Sequence, residues 1–197
     1  MQQATDSGAS AEAATARYLI DGKGNRFTVH AYATGILSAF AHSPTIAIPD
    51  FEGEVLLNPD ALDQTSLHIE IQASSLAVAD DVSEHDRREM SRKMHEEVLE
   101  SDAYEQIVYE CSKVSASKTG EGQYWAALSG ELSLHGVTRS LPISARVTLS
   151  GNTLRAAGEF PVRLSDYEIK PVTAVGGAVK LKDELKLSFD ITARRQS

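Results

Sequence analysis

Ten residues near the carboxyl end, ELKLSFDITA, alternate without a break: Leu185, Leu187, Phe189 and Ile191 fall on one side of an extended chain, and Lys186, Ser188, Asp190 and Thr192 on the other. Successive side chains of a strand point to opposite faces, so one apolar and one polar face mark a sheet buried on one side only. The period recurs from Arg17 onward. Phe27, Val29 and Ala31 oppose Thr28, His30 and Tyr32; Leu67, Ile69 and Ile71 oppose His68, Glu70 and Gln72. Further runs carry Leu128, Leu132 and Leu134, then Leu141, Ile143, Val147 and Leu149, then Leu154, Phe160, Val162 and Leu164. Turn-forming residues separate the runs, at NPD 58–60, TGEG 119–122 and SGN 150–152, a spacing suited to antiparallel hairpins.

One segment has a different grammar. SEHDRREMSRKMHEEVLES, residues 83–101, has neither Gly nor Pro, is rich in helix formers, and opens with Ser83 and Asp86 at capping-box spacing. Its apolar stripe is thin, Met90, Met94 and Val98, which suits a helix that closes one opening of a barrel while its other faces stay wet. Many strands and a single inserted helix predict an all-β fold, an antiparallel barrel whose closure removes exposed edges, with a sandwich as the alternative. Residues 1–16 read as a flexible tail and 17–197 as one barrel domain, a length that can close a real core.

Charge and composition narrow the function classes. A net charge of −9 repels phosphate backbones and speaks against nucleic acid. The basic run RREMSRK is flanked by acids on both sides and reads as a solvated helix face. No apolar window approaches the roughly 18 residues that cross a bilayer. The amino terminus lacks a basic start followed by an apolar run, so the chain as it stands reads as cytoplasmic, and as periplasmic if it is truncated. The single cysteine, Cys111, sits in an apolar alternation and reads as a small core thiol.

Three polar clusters invite chemistry. In LSLHGVTRSLPI, residues 132–143, His135, Thr138 and Arg139 stand between apolar residues. They form either a hairpin corner, with Gly136 supplying the backbone freedom and Thr138 bonding local backbone, or a mouth at which His135 and Arg139 hold a polar head group. In AFAHSPTIAI, His42 precedes Ser43, but adjacency in sequence does not build a catalytic pair. The six histidines are scattered; His85 with Glu89 is the sole helical pair at four-residue spacing, which leaves a zinc site without its three or four ligands. Asp80 with Asp81, and Asp50 with Glu52 and Glu54, fit solvated edges. Nucleophile-elbow, phosphate-loop and dinucleotide motifs are absent from the sequence.

Gly130, Leu132, Leu134, His135, Gly136, Val137, Thr138 and Arg139 together resemble the hairpin signature of the YceI-like proteins. YLID near the start, DFEGEVLLNPD, ASSL, ESDAYEQIVYECSKV and LSDYEIKP resemble further segments of that family, from about Tyr18 to the end. Glu105 stands where the family commonly has Pro, Glu168 where it often has Gly, and the helical insert is longer and more charged than usual. The resemblance implies a lipocalin-like barrel whose elongated apolar cavity holds a polyisoprenoid or similar long-chain amphiphile, with no catalysis.

The expected function is therefore binding, sequestration or transport of an isoprenoid-type lipid, a quinone, a polyprenyl phosphate or a fatty amphiphile, without a cofactor. Phe27, Val29, His42, Leu67, Ile69, Ile71, Met90, Met94, Leu128, Leu132, Ile143, Val147, Phe160, Val162, Leu187 and Phe189 are the expected ligand contacts, and His135 and Arg139 the head-group candidates. Two alternatives stand beside this reading. One is a hydrolase or isomerase using His42 or His135; the other is a stress-related interaction protein whose barrel is filled by its own side chains. A homodimer is left open.

Overall fold

The computed structural model describes residues 15–34, 43–58, 61–170, 172–174 and 179–196. Most of the expected tail, the Pro-Asp of the 58–60 turn and His42 lie outside the described residues. In chain order the strands are β1 (Ala16–Asp21), β2 (Arg26–His30), β3 (Ala33–Thr34), β4 (Thr45–Ala47), β5 (Phe51–Leu57), β6 (Ser66–Gln72) and β7 (Ala77–Val78). Helix α1 (Glu84–Lys93) follows, then β8 (Gln106–Gly120), β9 (Gln123–Leu134), β10 (Val137–Ser150) and β11 (Thr153–Arg163). Short β12 (Thr173–Ala174) and β13 (Val179–Leu181) precede β14 (Glu184–Arg195), and pair with β3 in a small separate sheet.

Eight strands form a closed antiparallel barrel in the order β1, β5, β6, β8, β9, β10, β11, β14, the ring shut by Tyr18 opposite Arg195 and Leu19 opposite Arg194. β1 begins at Ala16, opposite Leu57 of β5, one residue before the expected start. Closure follows from amphipathic strands: each has an apolar face to bury, and a ring leaves no unpaired edge.

The first strand is split. β14 pairs with β2 over residues 186–190 and with β1 at 194–195, leaving Thr192 at the break. The side chain of Asn25 fills that gap. Its Oδ1 accepts from Thr192 N at 2.8 Å and its Nδ2 donates to Thr192 O at 3.2 Å, so both ladder groups stay bonded although no strand residue faces them. β2 then continues the wall through β4 to β7 at one end of the barrel.

Helix α1 lies at that same end. Ser83 accepts a hydrogen bond from Asp86 N at 3.1 Å, as the capping-box spacing predicts, with acids in the first turn and Arg92 and Lys93 in the last to complement the helix dipole. The helix runs on into a π turn, Met94–Val98, where Leu99 N donates to Met94 O at 2.9 Å. Arg87 fastens the helix to the wall by donating to Val78 O at 2.5 Å and Asp80 O at 2.8 Å. His95 adds a second tie. The Leu76 carbonyl 3.1 Å from Nε2 can only accept, so Nε2 donates, and Nδ1 lies 3.3 Å from the Ser101 hydroxyl.

Among the described residues no helix is long and apolar enough to cross a membrane, which says nothing of membrane-spanning strands.

Candidate ligand cavity

The alternation leaves the barrel interior apolar but does not fill it. A cavity of about 700 Å³ runs inside the wall, a size typical of small-molecule sites. Every apolar residue expected from the sequence to contact a ligand lines it: Phe27 and Val29 from β2, Leu67, Ile69 and Ile71 from β6, Met90 and Met94 from the helix, Leu128 and Leu132 from β9, Ile143 and Val147 from β10, Phe160 and Val162 from β11, and Leu187 and Phe189 from β14. Phe27, Phe160 and Phe189 cluster with ring centroids 6.1–6.4 Å apart, so the wall there is aromatic rather than aliphatic.

Polar lining is sparse and unequally shared. Among the described residues the charged lining groups are Asp86, Glu89 and Lys93, all on α1. With Met90 and Met94 they occupy positions i, i+3, i+4, i+7 and i+8, one helix face. That spacing is present in the sequence, masked there because its charged members interrupt the apolar stripe. Arg92 donates to both Glu89 oxygens and holds that carboxyl below the usual carboxylate range. Lys93 Nζ donates to Thr173 O at 3.3 Å, linking the helix to the small sheet.

Tyr109 and Thr65 supply polar groups deeper in. Tyr109 comes from β8, passes over Gly130 and donates from its hydroxyl to Leu141 O at 3.1 Å. A Cβ at position 130 would stand 2.4 Å from that hydroxyl, so glycine is required by close approach. Burial pushes the Tyr109 phenol up, so it stays a hydrogen-bond donor. Thr65 lines the opposite end of the cavity from α1, just after the 3-10 turn Leu62–Gln64, and its hydroxyl is buried without a partner.

The polar corner of β9 and β10 is a two-residue turn. His135 (φ 52°) and Gly136 (φ 74°) are both left-handed, as such a tight hairpin demands. The His135 ring packs on Tyr104 with centroids 4.3 Å apart, and its Nε2 lies 3.5 Å from Oε2 of Glu100. Thr138 bonds the Ser133 hydroxyl across the hairpin at 2.7 Å, not the local backbone expected from the sequence. Arg139 stands opposite Leu132 in register but is exposed at the rim, and its Nη1 donates to Thr138 O at 3.3 Å. Neither His135 nor Arg139 lines the cavity.

Among the described residues no group of three or more His, Cys, Asp or Glu is placed to hold a metal. No described histidine, serine or cysteine lines the cavity. Cys111 is buried in the wall, its Sγ donating to Lys113 O at 3.2 Å beside a bulge in β8, and burial pushes its thiol up.

Fold and cavity together define a lipocalin-like barrel that encloses an apolar space. The chain belongs to the YceI family: the model of the YceI-like domain matches residues 18–193. Similar solved structures include BcnA from Burkholderia cenocepacia, at 16% identity and TM-score 0.67, over 88% of this chain and 98% of that one. A polyisoprenoid-binding domain from Saccharophagus degradans, implicated in plant cell wall breakdown, aligns at 11% identity and TM-score 0.63 over 92% and 99%. The YceI protein of Campylobacter jejuni aligns at 11% and 0.57 over 77% and 85%. No curated protein matches the chain.

Proposed function

We propose that this protein binds a long-chain isoprenoid or similar lipid in the barrel and sequesters or carries it without chemical change. The observation behind the reading is the unfilled 700 Å³ interior, walled by aliphatic and aromatic side chains from every strand of the ring. Each buried apolar contact adds a small, non-directional gain, about 25 cal/mol per Å² removed from water, so a chain running the length of the cavity sums many of them. The described lining carries three charged groups, Asp86, Glu89 and Lys93, all on the helix, so the rest of the wall is suited to an apolar chain. The Saccharophagus domain's description as polyisoprenoid-binding supports the ligand class.

The ligand contacts proposed are the fifteen apolar lining residues named above. His135 and Arg139 remain head-group candidates only for a ligand whose head emerges at the β9–β10 rim.

The test is direct. Protein purified from bacteria should carry a chain lipid visible by native mass spectrometry, and delipidated protein should rebind it. A protein that arrives empty and takes up no chain would refute the proposal.

A further inference from the structure

One hydroxyl at the base of the cavity is buried without a partner. Thr65 is 7% exposed, lines the cavity, and its Oγ1 has no hydrogen-bond partner. A buried hydroxyl left unbonded is unfavourable by about as much as the bond it lacks, so such groups normally have a protein or ligand partner. The same end of the cavity is lined by Leu57, Leu62, Leu149 and Leu154, which offer none, and by Tyr124, whose hydroxyl does not bond Oγ1. Rotation about the single Cα–Cβ bond exchanges hydroxyl and methyl, which lets Oγ1 meet a polar atom arriving through the cavity.

The charge pattern limits what that atom belongs to. Among the described residues the base carries no charged lining group, and an anion brought there would lose its hydration without a counter-charge. Among the described lining residues the helix end carries Asp86 and Glu89 against Lys93, which disfavours an anion there as well.

We propose that the cavity selects chains with a neutral hydrogen-bonding terminus, a hydroxyl or carbonyl, and takes them polar end first, the terminus bonding to Thr65 and the apolar end directed toward α1. This rests on the lipid-binding reading above and adds to it the head-group class, the orientation and the selecting residue.

The experiment measures displacement of the apolar dye N-phenyl-1-naphthylamine from the delipidated full chain by three matched twenty-carbon ligands: phytol, its hydroxyl-free counterpart phytene, and phytyl phosphate. Wild type should prefer phytol to phytene by roughly fivefold, the worth of one net hydrogen bond, and bind phytyl phosphate more weakly than phytol. Thr65→Val should bring phytol to the phytene level without changing phytene, and Thr65→Ser should keep the preference, with circular dichroism showing both folded. Unchanged phytol binding in Thr65→Val, or phosphate binding tighter than phytol, would overturn the inference while leaving lipid binding intact. If none of the three displaces the dye from wild type, the lipid-binding reading itself fails.

Discussion

Asn25 makes with Thr192 the pair of hydrogen bonds that a neighbouring strand residue would otherwise make, 2.8 Å to the amide and 3.2 Å from the carboxamide to the carbonyl. It is the seam between β1 and β2. Asn25→Ala should lower stability by about 1–3 kcal/mol, because two part-buried backbone groups lose their partners. Asn25→Asp should be no better, since a carboxylate would face the Thr192 carbonyl without a donor. Urea unfolding of the two variants checks this, and wild-type midpoints in both would contradict it.

Tyr109 and Gly130 form a second such dependence, one side chain crossing a strand where the other has none. Tyr109→Phe should cost about 1 kcal/mol through loss of the bond to Leu141 O. Gly130→Ala should cost more, about 1–3 kcal/mol, since its methyl group would also stand 2.6 Å from Glu110 O and force the wall to shift. Equal midpoints for the two variants would show that the crossing is not tight.

Glu168 ends the 3-10 turn Leu164–Tyr167 at φ 60°, a left-handed position where a side chain is strained. The glycine often seen there in the family is the unstrained choice. Glu168→Gly should stabilise by about 0.5–1 kcal/mol after the entropy glycine adds to the unfolded chain is subtracted. A lower thermal midpoint would mean that Glu168 has a contact worth more than its strain.

Asp183 accepts from Ser165 at both the amide, 2.8 Å, and the hydroxyl, 2.6 Å, and these bonds hold its carboxyl below the usual carboxylate range. A carboxyl depressed by folding stabilises the protein above its unfolded pKa, and that gain disappears as pH falls through the folded value. The gap in midpoint between wild type and Ser165→Ala should therefore be steady at neutral pH and narrow in acid, below about pH 4. A gap that widens with acid would contradict the assignment.

Arg87 binds α1 to the wall through two carbonyls, of Val78 and Asp80. Arg87→Ala should raise amide hydrogen exchange in residues 84–98 and speed release of a bound chain several-fold, with little change in the exchange of β8 to β11. Uniform protection in the variant would show that the helix is held by its other contacts.

How much of this was readable in the sequence depends on the length of each element. The twelve-residue β14 shows its period over half a dozen alternations, and the Ser83 cap is visible beside a segment of helix formers. β3, β7 and β12, two residues each, are too short to show any period. The pairing of Tyr18 with Arg195 spans nearly the whole chain and leaves no local trace. Alternation identifies which residues face inward, and so every described apolar contact expected from it lines the cavity. It is silent on whether they meet, because a filled and a hollow barrel alternate alike. Thr65 was missed for a related reason: a lone threonine beside a turn reads as turn chemistry, and only the apolar surroundings supplied by distant strands reveal its missing partner.

The pairing that shuts the ring also brings Gln196 N to 2.8 Å from Arg17 O, at the end of the barrel away from α1. The first and last turns of the wall are therefore spatial neighbours. A short linker from Gln196 to Ala16, with new termini cut at the open Gly151 turn, would re-order the chain as a circular permutant while every hydrogen bond of the ring is retained.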